Sequence, residues 1–216
     1  MAKSVLLIGL GEFGLHMAKK LNEMNIEVMG VDFNEEKVNE ALPFVTEAQI
    51  GDSTNPEFLE TLGVRNYDCC VVTIGANFQN SLETTSLLSE MGAKRVISRA
   101  NTEIHEKFLK RNGADMVVYP ERQMANWTAI RCSFENIIDY ITVDEDYSIV
   151  EVNIPDDWHG KTLSQLNIRN KHGINVLGVR NDGRLDMDIG FDTLLTKEKT
   201  IMVLGSRKNI AKCFRV

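Results

Sequence analysis

Long apolar segments are missing from this chain of 216 residues. No apolar run approaches the 18 or so residues that a membrane-spanning helix needs. The first apolar run, Val5 to Ile8, stops at Gly9 and is too short for the core of a secretory signal peptide. The sequence therefore predicts a protein that stays in the cytoplasm.

Cysteine, proline and aromatic residues are also scarce. The chain has four cysteines and four prolines, and aromatic residues make up 7% of it. Cys69 and Cys70 are adjacent within an apolar run, and no CxxC pair occurs, so the pattern favours reduced structural thiols over a metal or redox site. We expect a core that is mainly aliphatic.

Positive charge is in deficit. Lys and Arg number 24 against 31 Asp and Glu, which gives a net charge of −7, and both halves of the chain carry more acidic than basic residues. Nucleic acids and anionic lipid surfaces bind basic patches. The composition therefore predicts that nucleic acid is not a partner.

Short aliphatic runs alternate with helix-length segments over the first 120 residues. The runs are nearly continuous rather than alternating, which is typical of parallel strands covered on both faces. The alternation predicts an α/β fold with a Rossmann-like, doubly wound parallel sheet. The predicted strands are Val5–Ile8, Ile26–Val31, Val45–Ile50, Cys69–Ile74, Val96–Ser98 and Met116–Tyr119, and the predicted helices are Phe13–Met24, Glu35–Ala41, Pro56–Leu62, Asn77–Met91 and Glu103–Asn112.

The pattern changes after residue 120. Apolar residues at helical spacing predict a helix over 121–138, which either packs on its own domain or serves as a crossover or dimerisation helix. These apolar residues are Met124, Trp127, Ile130, Phe134 and Ile137.

A second domain is predicted beyond that helix. The alternating segment Ile149–Ile154 is typical of a half-buried antiparallel strand. A short helix at Thr162–Leu166 and strands at Ile174–Val179 and Thr200–Leu204 follow. We therefore expect three parts: a nucleotide-binding domain over 1–120, a crossover helix over 121–139 and a small α+β domain over 140–216.

The most informative motif is the glycine-rich turn Gly9-Leu10-Gly11-Glu12-Phe13-Gly14, between the first predicted strand and helix. In dinucleotide-binding folds the first glycine allows a tight turn, the second a close approach to pyrophosphate and the third close packing of helix and sheet. Asp32 ends the second predicted strand, where a carboxylate accepts hydrogen bonds from ribose and repels a 2′-phosphate. The motif predicts an adenine-nucleotide site that disfavours NADP; the alternative is a turn that serves packing alone.

Residues at the other strand ends are further candidates, because ligands bind at the carboxyl ends of parallel strands. Asp52 and Ser53 are expected to meet adenosine, and Arg99 to neutralise phosphate charge. Alternatively, the first two cap a turn and Arg99 pairs with a surface carboxylate. The residues expected beside the phosphates are Thr73, Ile74 and Gly75.

A catalytic constellation is not recognisable. The histidines are His16, His105, His159 and His172, and none stands beside a cysteine or carboxylate in a known catalytic spacing. An oxidoreductase needs an acid or base near the nicotinamide, for which His105 is the nearest candidate. A nucleotide site without a catalyst favours a sensor over the alternative, a small NAD-dependent oxidoreductase. Acidic charge and the lack of a helix-turn-helix segment count against a transcription regulator.

Six segments together resemble the RCK family, the regulatory subunits of Trk/Ktr-type potassium transporters. They are Gly9–Gly14, Val28–Asp32, Gly51–Thr54, Val71–Leu82, Gly113–Ala125 and Leu166–Arg180. The resemblance implies a cytoplasmic, non-enzymatic subunit, peripheral to the membrane, that binds ATP, ADP or NAD(H). It further implies that this subunit gates an integral-membrane potassium-translocating subunit.

The resemblance also implies an assembly and further ligands. Homodimers would form through the sheet edge and the helix after Glu121 and would assemble into an octameric ring. Glu121 would bind a divalent cation or sodium beside the nucleotide phosphates. The small domain would bind cyclic di-AMP at residues that match the family pattern, which are Arg169, Ile174, Asn175 and Val176.

Two positions depart from the family pattern. Glu12 stands where Ktr-type members often carry an arginine that reaches a terminal phosphate, and a carboxylate there repels a γ-phosphate, which leaves ADP and NAD(H) open. Asn167 stands where the cyclic di-AMP pattern prefers aspartate. For that ligand the alternative is that Arg169 and Asn175 only shape a turn.

Overall fold

The computed structural model describes residues 3–133 and 136–214. The chain divides into two compact units, Met1–Arg122 and Gln123–Val216. No helix within the described ranges is both long enough and apolar enough to span a bilayer.

The first unit contains the predicted parallel sheet. Its strands are β1 (Ser4–Ile8), β2 (Glu27–Asp32), β3 (Glu47–Ile50), β4 (Cys69–Val72), β5 (Val96–Arg99) and β6 (Met116–Val118), and its helices are α1 (Glu12–Glu23), α2 (Glu35–Ala41), α3 (Pro56–Thr61), α4 (Phe78–Glu90) and α5 (Glu103–Arg111). The strands are parallel, in the order β3-β2-β1-β4-β5-β6. The order reverses between β1 and β4, which is where sheets of this kind bind ligands.

Both faces of the sheet are covered, as the continuous apolar runs predicted. In β1, Leu6 and Ile8 contribute to a core with Leu59 and Leu88 on one face. Leu7 contributes to a second core on the other face. Helices α2 to α5 begin at side-chain caps, which accept hydrogen bonds from first-turn amides. These caps are Asn34, Asn55, Asn77 and Thr102.

The second unit is a small antiparallel α+β structure. The chain enters it through α6 (Pro120–Ser133) and continues through β7 (Ile137–Thr142), β8 (Tyr147–Asn153), α7 (Leu163–Leu166), α8 (Ile168–His172), β9 (Ile174–Asn181), β10 (Arg184–Asp186), β11 (Thr200–Ser206) and α9 (Arg207–Phe214). The sheet order is β10-β9-β11-β8-β7. The unit has its own aliphatic core, which includes Val150, Val152, Ile201 and Val203.

The helix predicted over 121–138 is wrong at its C-terminal end. Helix α6 ends at Ser133, and Ile137 opens strand β7, which pairs with β8. Phe134, another member of the predicted apolar stripe, lies outside the described residues. The segment from Ile137 is rich in β-branched and aromatic residues, which favour strands, and the burial of Ile137 in the core of the second unit outweighs the helical spacing.

Candidate functional site

The three glycines of the turn differ in what surrounds them. Gly9 adopts a φ of +96°, and a Cβ atom on it would lie 3.0 Å from Thr73 Oγ1. A Cβ atom on Gly14 would lie 2.0 Å from the carbonyl oxygen of Gly9. Gly11, by contrast, has no described atom within 4 Å of that position. The packing of the turn therefore requires glycine at positions 9 and 14, while Gly11 leaves open space beside the turn.

Asp32 fixes the turn to the end of β2. Its side chain is buried, with 6% of its surface exposed. One carboxylate oxygen accepts a hydrogen bond from the Leu10 amide at 2.8 Å, and the other accepts one from the Asn34 amide at 2.9 Å. Each carboxylate oxygen has two lone pairs, so acceptor capacity remains for ribose hydroxyls.

Thr73 links the neighbouring strand to the same turn. Its buried hydroxyl donates toward the carbonyl oxygens of Ile8, at 3.1 Å, and of Gly9. The hydroxyl hydrogen is therefore used inside the protein. Ile74 follows it with a half-buried side chain, and its amide nitrogen would lie 3.1 Å from a Cβ on Gly9. The loops after β1 and β4 are thus in close contact.

A cluster around Arg99 joins four elements of the first unit. The guanidinium carbon lies 5.4 Å from the centroid of the Phe13 ring in α1. Its Nη2 pairs with the carboxylate of Glu121 at the start of α6. A Cβ atom on Gly75, after β4, would lie 2.6 Å from Arg99 Nη1. The structure therefore brings together four of the predicted residues, which are Phe13, Gly75, Arg99 and Glu121. Arg99 pairs with a carboxylate here, as the alternative prediction for it stated.

Glu121 keeps its negative charge in this cluster. Partial burial raises the pKa of its carboxyl, but hydrogen bonds from its own backbone amide and from Arg99 outweigh that effect. The pKa is therefore lowered from the ordinary value of a glutamate. A carboxylate that is half exposed and ionised is a suitable oxygen ligand for a hard cation.

The remaining predicted residues of the first unit have structural partners or face solvent. Asp52 accepts hydrogen bonds from the amide and hydroxyl of Thr54, at 2.9 and 2.8 Å, as a turn cap does. The buried Ser53 hydroxyl lies 2.8 Å from that of Thr84 in α4. Glu12, in the first turn of α1, is exposed.

Sequence reasoning missed Asn101 and named His105 as the nearest candidate for a catalytic acid or base. Asn101 Nδ2 donates to the Gly75 carbonyl oxygen at 2.7 Å, and its Oδ1 lies 3.1 Å from His105 Nδ1. The His105 ring is fully buried, and burial lowers its pKa. A catalytic base must reach its substrate, so this burial disfavours the sequence's nearest catalytic candidate. The only sequence signal for Asn101 was its position just after the fifth strand.

A cavity of about 400 Å³ lies in the second unit. All four residues predicted for cyclic di-AMP line it: Arg169, Ile174, Asn175 and Val176. Ile174 is buried, whereas Arg169 and Asn175 are exposed. The cavity therefore offers a guanidinium for phosphate and an aliphatic surface for a base.

Two short helices shape this cavity. Helix α7 begins with a capping box between Thr162 and Gln165. Asn167 joins α7 to α8 in the left-handed conformation, with a φ of 48°, and accepts a hydrogen bond from Asn170 at 2.7 Å. Gly173, with a φ of 67°, ends α8. These bends place Arg169 and the start of β9 around the same space.

Comparisons with known proteins match the whole length of the chain. A model of the TrkA-N domain matches residues 5–120, and a model of the TrkA-C domain matches residues 148–216. The Ktr system potassium uptake protein C of Bacillus subtilis is 38% identical over 98% of this chain and 96% of its own length. The Ktr system potassium uptake protein A of the same organism is 35% identical over 97% of this chain and 95% of its own.

Solved structures share the fold. The GsuK RCK domain matches with a TM-score of 0.70 and 18% identity, over all of this chain and 47% of its own. The GsuK channel bound to NAD matches with a TM-score of 0.70 over 98% of this chain and 38% of its own. This chain thus spans less than half of either GsuK chain. From its two domains and its identity to the Ktr proteins, the chain belongs to the family of TrkA-N and TrkA-C potassium uptake proteins, as the resemblance predicted.

Proposed function

We propose that this protein is a nucleotide-sensing regulatory subunit of a potassium transport system. The single observation that carries the proposal is the open space beside Gly11, in a turn whose Phe13 ring has its centroid 5.4 Å from the guanidinium carbon of Arg99. A side chain is absent where pyrophosphate approaches the turn, and a positive charge lies at the carboxyl edge of the same sheet. Asp32 supplies acceptors for the ribose hydroxyls.

ADP or NAD(H) is the proposed nucleotide. The carboxylate of Asp32 repels the 2′-phosphate of NADP, and that of Glu12 repels a γ-phosphate. GsuK, which shares the fold, is bound to NAD in a solved structure. Regulation requires that the nucleotide bind two conformations of the protein with different affinity.

Glu121 is the proposed ligand of a divalent cation or sodium. In this structure it is paired with Arg99. A phosphate that attracts the guanidinium would release the carboxylate for a cation, and a cation on the carboxylate would release the guanidinium for phosphate. The two ligands are therefore expected to favour each other's binding, by the reciprocity of linked equilibria.

The cavity of the second unit is the proposed cyclic di-AMP site. Arg169 would pair with a phosphate, and Ile174 and Val176 would contact a base. Asn167 accepts a hydrogen bond from Asn170 and, unlike the aspartate of the family pattern, carries no negative charge. An anion in this cavity is therefore not repelled at this position.

The proposal also includes assembly of the chain into a homo-oligomer that acts on a membrane partner. No residue of α6, a helix that the structure describes in full, is buried, and Met124 in it has 55% of its surface exposed. An unpartnered apolar side chain of this size favours a role for α6 in a homodimer, within an octameric ring. The ring would act on an integral-membrane potassium-translocating subunit from the cytoplasmic side.

Thermal unfolding of the full chain with ATP, ADP, NAD, NADH and cyclic di-AMP, each with and without Mg²⁺, tests this function. A ligand present at 100 times its dissociation constant adds about 2.7 kcal/mol to the free energy of unfolding. We expect stabilisation by ADP or NAD(H), and by cyclic di-AMP in the wild type but not in Arg169→Gln. An NADH signal that decays with an added carbonyl substrate would instead support the oxidoreductase. No shift with any nucleotide would refute the sensor.

A further inference from the structure

Two hydrogen bonds form a relay behind the loop that follows β4. The relay runs from His105 in α5 through Asn101 to the carbonyl oxygen of Gly75, with distances of 3.1 and 2.7 Å. Its inner end is fully buried, where the His105 ring lies 4.7 Å from that of Phe78. Neither Asn101 nor His105 belongs to the residues assigned above to the nucleotide.

The hydrogens of this relay have one possible direction. The Gly75 carbonyl can only accept, so the amide nitrogen of Asn101 faces it and the amide oxygen faces His105. That oxygen also only accepts, so Nδ1 of His105 carries the hydrogen. Nε2 is then an acceptor that is buried and has no partner in the described part of the chain. Burial lowers the pKa of His105, so the ring is neutral and serves as a fixed donor to Asn101.

The relay determines where the next backbone amide points. In a planar trans peptide, the carbonyl of Gly75 and the N–H of Ala76 point in opposite directions. Strand β4 lies between β1 and β5, and Asn101 follows β5, so the carbonyl points to the β5 side. The Ala76 N–H then points to the β1 side, where the glycine-rich turn begins. It has no acceptor among the residues described.

We propose that Asn101 and His105 are positioning residues that hold the Gly75–Ala76 peptide so that the Ala76 N–H donates to a phosphate oxygen of the nucleotide. Arg99 restrains the same loop, since its Nη1 occupies the space beside the Gly75 Cα. A donor fixed in advance loses little conformational entropy on binding, which increases affinity. This inference rests on the proposed nucleotide function and adds a donor and its support to that site.

Binding of ADP and of adenosine to the full chain tests the proposal by NMR titration, which measures dissociation constants up to the millimolar range. In Asn101→Asp the new carboxylate cannot donate to the Gly75 carbonyl and repels it. We expect the dissociation constant for ADP to rise about tenfold, which corresponds to about 1.4 kcal/mol. Adenosine has no phosphate, so its dissociation constant is expected to stay unchanged.

Two variants of His105 form a matched pair. His105→Leu removes the donor, and we expect it to weaken ADP binding as Asn101→Asp does. His105→Asn keeps a donor, because the amide nitrogen of asparagine and Nδ1 of histidine are the same number of bonds from Cβ. We therefore expect His105→Asn to retain most of the ADP affinity of the wild type. A merely structural role would lower the melting temperature of both variants without this difference in ADP affinity. Melting temperatures of all variants are measured alongside.

The wild type provides a second readout that does not depend on a variant folding. On addition of ADP, the proton of the Ala76 amide is expected to shift downfield, and adenosine is expected to leave it in place. Equal ADP affinity in wild type and Asn101→Asp, an equal loss for adenosine, or an unshifted Ala76 amide in the ADP complex would overturn the positioning role. Absence of ADP binding by the wild type would refute the nucleotide function itself, and the inference with it.

Discussion

Gly11 and Gly14 lie three residues apart in one turn, but their surroundings differ. A Cβ on Gly14 would collide with the backbone of Gly9 at 2.0 Å, whereas a Cβ on Gly11 would enter open space. Gly11 also has a φ of −67°, which any residue adopts. The two positions therefore separate the requirements of folding from those of the proposed nucleotide site.

Alanine substitutions at these glycines are predicted to have different effects on stability. Gly14→Ala should lower the free energy of unfolding by about 2 kcal/mol or more, because rigid backbone must move to admit the methyl group. Gly11→Ala should change it by less than about 0.5 kcal/mol. Chemical denaturation of both variants measures the difference, and equal destabilisation would contradict it.

His105 is predicted to make stability dependent on pH in the acid range. Burial lowers its pKa from 6.5 in the folded state, so below that pH the unfolded chain binds a proton that the folded chain does not. The free energy of unfolding therefore falls as the pH drops through 6.5 toward the folded-state pKa of His105. In His105→Asn this part of the pH dependence should disappear. A profile between pH 5 and 7.5 that is the same in both proteins would exclude this role.

At the scale of single residues, the sequence predicted what depends on local motifs. The roles of Gly9, Gly11 and Gly14 follow from a turn that is contiguous in sequence. The support of Gly75 by Asn101 joins residues 26 positions apart, and no spacing rule connects them. The partners of Asp52 and Ser53 likewise became visible only in three dimensions.

An ion pair between the buried Glu151 and the partly exposed Arg180 connects three strands of the second sheet. Arg180 of β9 forms hydrogen bonds of 2.7 and 2.9 Å with the two carboxylate oxygens of Glu151 in β8. Strand β11 lies between these two strands, and its Thr200 also bonds to Glu151. Glu151 is only 4% exposed, so its charge depends on these partners.

Removal of one member of this pair is predicted to destabilise the second unit strongly. Arg180→Met leaves a buried carboxylate without its counter-ion and should cost about 3 kcal/mol. The double variant Arg180→Met/Glu151→Met removes both charges and should recover most of that loss. Denaturant unfolding followed by Trp158, which is buried in this unit, measures both. A double variant as unstable as the single one would show that packing, not charge, dominates.

The same pair predicts a second acid-sensitive contribution. Hydrogen bonds from Arg180 lower the pKa of Glu151 below its ordinary 4.5. Burial of the carboxyl opposes this effect, and a hydrogen bond from Thr200 adds to it. Its stabilisation is therefore complete above that value and is lost as pH falls through the folded-state pKa. Glu151→Gln should flatten the stability profile of the second unit below about pH 4.5, as measured by the same fluorescence. An unchanged acid limb would contradict this assignment.

Elements differed in how well the sequence predicted them. The strands of the first sheet were predicted to within a few residues, because their apolar runs are bounded by glycine and by helix caps. Strand β7 and helix α9 were not predicted: the former shares Ile137 with an apparent helical stripe, and the latter is short and basic. In both cases the deciding factor is burial in the core of the second unit, which only the fold supplies.

At the scale of the whole molecule, two units with separate cores carry two candidate sites. The proposed nucleotide residues belong to the first unit and the 400 Å³ cavity to the second. We therefore predict that ADP stabilises the first unit and cyclic di-AMP the second. In hydrogen exchange, ADP should protect amides of β1 and β4, whereas cyclic di-AMP should protect those of α8 and β9. Protection by ADP confined to the second unit would contradict the placement of both sites.

The doubly wound parallel sheet of the first unit was predicted, because strands and helices alternate in the sequence, whereas its strand order is visible only in the structure. The pairing of Arg99 with Glu121 was harder to predict, because the sequence offered a surface carboxylate only as the alternative to phosphate as the partner of Arg99. The proposed preference for ADP or NAD(H) over ATP depends on the exposed Glu12.

The central claim is that a nucleotide binds beside the turn at Gly11, and calorimetric titration of ADP and NAD into wild type and Gly11→Ala tests it most directly. We predict that at least one of the two binds to the wild type, and that Gly11→Ala, while still folded, binds it at least tenfold more weakly because its methyl group occupies the approach of the pyrophosphate. Equal affinity in the two proteins, or binding of neither nucleotide to the wild type, would contradict the account.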